Sequence, residues 1–369
     1  MLLSDIHRYP CNRSHEMGTA NHPQHAAIRP AWLASHSEDV IDPGQPIVDA
    51  HHHLYDRPGI RYLFHDMLED VGDGHDIRAT VFVQARAMHR AGGPEEMKPI
   101  GETEFANGMA AMSASGMFGA ARLCAGIVSG ADLTLGAAAR RVLEAHIAAA
   151  PARFRGIRHT AAWDADSSLL NPAYKVSEDL LATPEFRAGF GQLAPLGLSF
   201  DAWLFFHQLP RLTDLAYAFP ETPIVLNHCG GILGIGPYAG AGNEVFARWK
   251  AGLRDLAACP NVMIKLGGLG MRMCGFGFDA LDTPAPSARL AEAWRPWMET
   301  AIGLFGANRC MFESNFPVDK CAFSYRVGWN AMKRVCEGAS REEKDDLFWR
   351  SAARFYRLGP EDLGDPAPG

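Results

Sequence analysis

Pro46-Ile-Val-Asp-Ala-His-His-His-Leu-Tyr-Asp56 is the stretch on which the reading of this chain turns. Ile47, Val48 and Ala50 form a short apolar run, and His51, His52 and His53 follow at once. Alternate side chains of a strand share a face, so His51 and His53 project together and His52 projects away. Two imidazoles at the C-terminal end of a buried strand can hold a divalent metal or polarise a carbonyl. A tag would not be fused to a strand-like run in mid-chain.

Working outward, 369 residues fit one large α/β barrel or two domains. At 47% hydrophobic and 21% charged residues, the core can be large. A net charge of −7 gives no polyanion-binding surface, so no nucleic-acid partner is expected. No apolar run approaches the roughly 20 residues that cross a bilayer, so no membrane partner is expected. The N-terminus lacks a basic region followed by an apolar core, and no signal peptide is read there. The eight cysteines are scattered without a C-x-x-C pair. They read as buried thiols in a reducing compartment, with a cytoplasmic location as the default.

Residues 1–44 are polar and poorly periodic, and read as an arm over a 45–358 barrel; 359–369 reads as a flexible Pro/Gly tail. Between them strand-like runs recur at Ile47–Ala50, Ala79–Ala85, Ala121–Val128, Phe154–His159, Leu198–Phe206, Pro223–His228, Asn261–Leu266 and Arg309–Phe312. Helical periodicity fills Leu133–Ala150, Val176–Leu196, Leu209–Phe219, Val245–Ala258, Ser287–Phe305, Ser324–Glu337 and Glu342–Arg357. Strands alternating with helices predict parallel βαβ units, and eight of them a single-domain (β/α)8 TIM barrel. A doubly wound sheet is the alternative, but no G-x-G-x-x-G follows an early strand. Gly230–Gly236 is Gly-rich, follows a histidine-ended strand and reads as a loop over the mouth rather than a phosphate cradle. Stretches 57–78, 86–118 and 230–244 are expected as loops above the C-terminal face.

Catalytic groups of such barrels sit at the C-terminal strand ends. Polar residues recur there: His51 and His53, Gln84 and Arg86, Arg158 and His159, His207, Asn227 and His228, Lys265, then Glu313, Asn315 and Asp319. A lone histidine at a strand end is usually just hydrogen-bonded; recurrence around the ring is the signal.

The set resembles the amidohydrolase superfamily, and more closely its amidohydrolase-2 branch, over about Pro46–Leu358. The resemblance rests on Val48-Asp-Ala-His-His-His-Leu-Tyr-Asp56, Phe154-Arg-Gly-Ile-Arg-His159, Ile224-Val-Leu-Asn-His-Cys-Gly230, Val262-Met-Ile-Lys-Leu-Gly267 and Met311-Phe-Glu-Ser-Asn-Phe-Pro-Val318. It implies a TIM-barrel metal-dependent hydrolase close to the sugar- and dicarboxylate-lactone hydrolases. His51 and His53 match the family's first-strand H-x-H and His228 its later histidine. Asn315 stands where the family usually has aspartate.

That departure matters, because asparagine cannot act as a base at neutral pH and is a weaker ligand. Either Asn315 orients water or substrate while another carboxylate is the base, or the reaction is not ordinary water-activated hydrolysis. Glu313 shares the strand face of Asn315, and Asp319 lies just beyond; Glu313 is preferred. The cofactor reading keeps two branches. A metal-free site, slightly favoured, would polarise a carbonyl through the histidines. Otherwise zinc or manganese is held by His51, His53 and His228.

Arg61, Arg86 and Arg158 are candidates to clamp a substrate carboxylate. His159, His207 and Lys265 are further candidates for substrate contact, and Tyr55, Trp163, Trp203 and Phe316 for an apolar wall. The expected activity is hydrolysis of a small lactone or related bond, with a small-molecule substrate as partner and homo-oligomerisation left open. The alternatives are a metal-dependent lyase or decarboxylase on the same barrel, and a non-catalytic ligand-binding barrel.

Overall fold

The computed structural model describes residues 21–22, 25–57 and 60–364. The start of the expected arm, up to residue 20, and residues 365–369 of the expected tail lie outside them. Eight parallel strands form one sheet in sequence order: β1 (Pro46–His52), β2 (Asp76–Val83), β3 (Arg122–Ser129), β4 (Phe154–Ile157), β5 (Ser199–Ala202), β6 (Ile224–Leu226), β7 (Val262–Leu266) and β8 (Cys310–Phe312). Just beyond β8 the chain returns to β1. Asn315 N donates to His51 O at 2.9 Å, and His53 N to Phe316 O at 2.7 Å. The sheet thereby closes into a barrel, as the alternation of elements predicts.

The closure is held from outside. The buried Asp49 carboxylate accepts from Ser314 N (2.9 Å), Ser314 Oγ (2.6 Å) and Tyr325 OH (2.9 Å). This carboxylate in β1 therefore fixes where the chain leaving β8 lies.

Helices α1 (Phe64–Val71), α2 (Ile100–Ala114), α3 (Ala139–Ala149), α4 (Pro184–Phe190), α5 (Leu209–Ala218), α6 (Gly242–Ala257), α7 (Ser287–Phe305) and α8 (Tyr325–Val335) follow the strands one by one. Their apolar faces and the outer faces of the strands make the main core, with Phe82, Phe200, Leu226, Trp249, Trp294 and Phe312 buried in it.

Two expectations are corrected here. Stretches 57–78 and 86–118 are not loops throughout, because α1 and α2 lie within them. α1 is only eight residues long, so its buried Phe64, Met67 and Val71, though at helical spacing, span barely two turns. α2 carries Gly101, Gly108 and four alanines, and past Ile100 its buried stripe lacks large apolar residues. A Cβ on Gly101 would stand 2.5 Å from Met88 O, so the close approach of α2 to the chain after β2 requires glycine. α4 is shorter than the expected 176–196 helix: Thr183 caps its start, accepting from Phe186 N, with Pro184 in the first turn.

The lower end of the barrel is filled by the chain's last helical segment, which runs from Arg341 to Phe355. Ala352, Phe355, Tyr356 and Leu358 pack among the inward residues Val48, Val81, Val225, Met263 and Met311. Of the arm, Lys333 Nζ donates to Ile41 O and Asp42 O at 2.8 Å each, strapping that segment to α8. The expected tail begins with a short 3-10 turn, Pro360–Leu363. All seven described cysteines are free and buried. Among the described residues no helix is long and apolar enough to cross a membrane.

Candidate active site

The strand period and a register slip between Asp49 and His52 aim the three histidines of β1. His52 turns outward, where its Nε2 is hydrogen-bonded with Thr80 Oγ1 at 2.8 Å. His51 and His53 turn into the barrel mouth, and their Nε2 atoms stand 3.3 Å apart. His53 Nδ1 lies 2.7 Å from Val83 O. A carbonyl only accepts, so Nδ1 carries the proton and Nε2 presents a lone pair.

His228 enters from the end of β6 on a left-handed backbone, φ 55°. Its Nδ1 lies 2.7 Å from Glu313 Oε1, and its backbone N donates to the same oxygen at 3.0 Å. The same reasoning leaves a lone pair on His228 Nε2. The rings of His51 and His228 are 4.5 Å apart between centroids, and Trp203 meets His228 edge-on at 4.8 Å as an apolar wall. Gly267 and Gly268 let β7 pass this pair. A Cβ on Gly267 would meet Glu313 Cγ at 2.5 Å, and one on Gly268 the His228 ring at 2.6 Å.

His51 is flanked by two cations. Lys265 Nζ is 3.2 Å from its Nδ1, and Arg158 Nη1 is 3.3 Å from its Nε2. Both cations can only donate, while a neutral imidazole accepts at one nitrogen only. One of the two therefore always faces a ring N–H. Burial, and then the Lys265 charge, hold His51 well below the ordinary histidine range; burial, and then Arg158, do the same to His53. Burial also lowers His228, against the opposing pull of Glu313. The site is thus three neutral imidazoles beside fixed positive charge.

Glu313 is the carboxylate that enters this group. Its Oε2 lies 3.1 Å from His51 Nδ1, but the two are not aligned as a hydrogen bond, so this buried oxygen has no partner. Among the described residues no carboxylate lies within ion-pair distance of Arg158, whose Nη2 donates to Gln84 O and whose buried Nε has no partner. Lys265 pairs with Asp201 at 2.7 Å, and Asp201 accepts from Tyr356 OH at 3.0 and 3.1 Å.

Asn315 and Asp319 form a neighbouring pair. Asn315 Nδ2 donates to Asp319 Oδ1 at 2.7 Å, and Gly270 N to Asp319 Oδ2 at 2.8 Å. Asn315, at φ 55°, leaves its buried Oδ1 without a partner. Burial pushes the Asp319 carboxyl up to about 8, although both hydrogen bonds favour the anion. The folded protein therefore keeps a proton that an unfolded chain, titrating near 4, has lost. The stability this group confers falls as pH rises from about 4 to about 8, and is level beyond. Asp319→Asn is expected to reduce the loss of Tm between about pH 5 and about pH 8. A loss as large as in the wild type would clear Asp319 of that role.

The remaining expected residues are spread more widely. Arg86 is exposed at the rim, its guanidinium 5.2 Å over the Tyr174 ring. Tyr55 is buried, with its ring 6.5 Å from that of His53. Trp163 is half-buried, and its backbone N donates to Gln208 Oε1 at 3.0 Å. His159 is corrected out of the mouth: its Nδ1 accepts from Leu133 N at 3.2 Å and its ring packs on Phe186. Arg158 and His159 are adjacent, so if one faces inward the other cannot. His207 pairs instead with Asp164 at 2.9 Å, and Tyr238 OH donates to the same carboxylate oxygen at 2.7 Å, fastening the 230–244 loop. Arg61 is exposed on a hairpin opposite Asp56. Phe316 lies outside the barrel, edge-on to Tyr325 at 5.1 Å.

Sequence reasoning passed over Asp201 and Tyr356. A lone carboxylate inside Ser199-Phe-Asp-Ala202 was a visible signal for Asp201. Nothing local marks Tyr356, because only folding carries the C-terminal segment into the barrel floor.

The residues present fit a divalent cation. Donor atoms of His51, His228 and Glu313 lie within 4.8 Å of one another. The set includes one anion, and its Oε2 lacks a partner. The tightest trio thus has Glu313 where the sequence suggested His53, whose free Nε2 stands beside it.

Comparison with known proteins finds relatives over most of this chain. The amidohydrolase family model matches residues 48–358. An uncharacterized protein of Sinorhizobium fredii, y4mH, is 32% identical over 329 residues, 85% of this chain and 98% of the relative. An L-fucono-1,5-lactonase of Burkholderia multivorans is 30% identical over 186 residues, 47% of this chain and 56% of the relative. Among solved structures, a zinc-bound amidohydrolase of Burkholderia multivorans superposes with a TM-score of 0.65 at 26% identity, covering 85% of this chain and 99% of that one.

Proposed function

This chain belongs to the amidohydrolase-2 family, and on that premise we propose that it hydrolyses a small cyclic ester, a lactone. The observation that supports this best is the His228–Glu313 pair, 2.7 Å apart, placed within a ring-to-ring contact of a histidine flanked by Arg158 and Lys265. Ester hydrolysis needs a proton acceptor for water and a positive environment for the developing oxyanion, and these residues provide both.

In this reading water attacks the ring carbonyl while its proton passes to His228 Nε2. Glu313 Oε1 stabilises the resulting imidazolium, and keeps the proton on Nδ1 beforehand. Arg158 donates to the carbonyl oxygen as it gains charge, joined by the N–H of His51. The ring C–O bond then breaks, and the His228 proton goes to the departing alkoxide, giving an open-chain hydroxy acid. Asn315 orients the water through its free Oδ1. His51, His228 and Glu313 are the residues that would hold a divalent cation, which would polarise the same carbonyl as a Lewis acid. The lactonase relative and the zinc-bound solved relative are both compatible with this reading.

The test is a panel of five- and six-membered lactones, neutral and acidic, followed by proton release. Turnover of at least one member that is lost in Glu313→Gln is expected. Two results would overturn the proposal: carbon dioxide release from aromatic acids with every lactone inert, which indicates a lyase, or thermal stabilisation by a lactone without turnover, which indicates a binding protein.

A further inference from the structure

We infer that Lys265 is a resident cation that competes with a divalent metal for His51, and that Asp201 and Tyr356 hold it in place. The inference rests on the donor arrangement around His51 and stands whether or not the substrate is a lactone.

Lys265 sits in the middle of the barrel with no exposed surface, as do Asp201 and Tyr356. Its ammonium has only hydrogens to offer, and they reach two acceptors: Asp201 Oδ2 at 2.7 Å and His51 Nδ1 at 3.2 Å. While it donates to Nδ1, the His51 proton must be on Nε2, and a protonated nitrogen cannot bind a metal. For Nε2 to become a ligand, the proton must move to Nδ1, where it would face the ammonium as well as Glu313 Oε2, 3.1 Å away. If Nδ1 were the ligand instead, the metal would need the place that the ammonium hydrogen occupies. Ligation through either nitrogen therefore breaks the Lys265–His51 hydrogen bond and brings a dication beside a fixed positive charge in a poorly screened interior.

The support for Lys265 explains why it does not swing away. Asp201 accepts from Tyr356 OH on both oxygens, 3.0 and 3.1 Å, and the Lys265 ammonium lies 5.3 Å above the Tyr356 ring. Tyr356 arrives from the C-terminal segment that plugs the barrel, so the floor of the fold fixes the charge beneath the site. A buried ion pair of this kind is a poor source of stability, since apolar replacement of both partners is often neutral or better. Its placement against His51 gives it a second role: Lys265 and Asp201 set how tightly the mouth binds a metal.

Zinc titration of the metal-free, full-length protein by calorimetry tests this. Lys265→Met is expected to bind zinc at least tenfold more tightly than the wild type, a difference of about 1.4 kcal/mol. Zinc binding by the variant where the wild type shows none would support the inference equally. Equal or weaker binding, or no binding by either protein, would overturn it. Removing Lys265 alone leaves Asp201 buried without its counter-charge, so the double variant Lys265→Met, Asp201→Asn serves if the single one fails to fold. An independent readout is the nitrogen-15 spectrum of the His51 ring without metal. The Nε2–H tautomer should dominate in the wild type and lose that dominance in Lys265→Met. A ring spectrum that is the same in both would count against the inference, because a merely structural ion pair predicts no change.

Discussion

Glu313→Gln is expected to lower kcat by about 10³-fold, within the range for loss of a general-base function. Glutamine keeps the shape and can still accept from the His228 backbone N through its Oε1 position, now 3.0 Å away. It removes the anion that stabilises His228 as an imidazolium. With the amide turned the other way, giving up that backbone bond, its NH2 faces His228 Nδ1 and drives the ring proton to Nε2, the atom that must receive the proton from water. Both effects act on the chemical step, so KM should change far less than kcat. The measurement is steady-state kinetics on a lactone the wild type turns over, with a melting curve to show that the fold is intact. A kcat within tenfold of wild type would remove Glu313 from proton transfer.

Arg158→Met is expected to lower kcat/KM by about 10²- to 10³-fold, the usual cost of losing one donor to an oxyanion. Stability should move the opposite way. Arg158 is buried with no carboxylate in ion-pair range among the described residues, and burial lowers its affinity for its proton. A buried cation with no carboxylate in ion-pair range costs folding free energy, so methionine, similar in reach and apolar, should leave Tm unchanged or raise it. Lower activity with equal or greater stability is the signature of a residue kept for chemistry. If Tm falls by many degrees while activity per folded molecule is kept, Arg158 is structural.

These two side chains also show how far pattern reading reaches. Glu313 and Arg158 are legible because each ends an apolar strand-like run, and strand ends of a parallel barrel converge on one mouth. His159 was legible as a strand-end residue but not as an outward one, since a one-residue uncertainty in register exchanges the two faces. α1 and α2 were missed for a different reason. α1 has apolar residues at helical spacing over only eight positions, too short a window for the pattern to stand out, and past Ile100 the buried positions of α2 are small or polar and carry almost no periodic contrast.

By itself the sequence determined the barrel, because the alternation of apolar runs and amphipathic segments leaves few ways to bury both. It also determined that His51 and His53 share a face, because the period of a strand is two residues. Only the tertiary structure decided what each histidine does. Tautomer, charge and the free Oε2 of Glu313 depend on which donor or acceptor stands about 3 Å away, and those partners come from β2 and β7 and from the ends of β4 and β8. Asp201 and Tyr356 belong to the site for the same reason. Hydrogen bonding and Coulomb energy act over a few ångströms of space, and sequence separation says nothing about that distance.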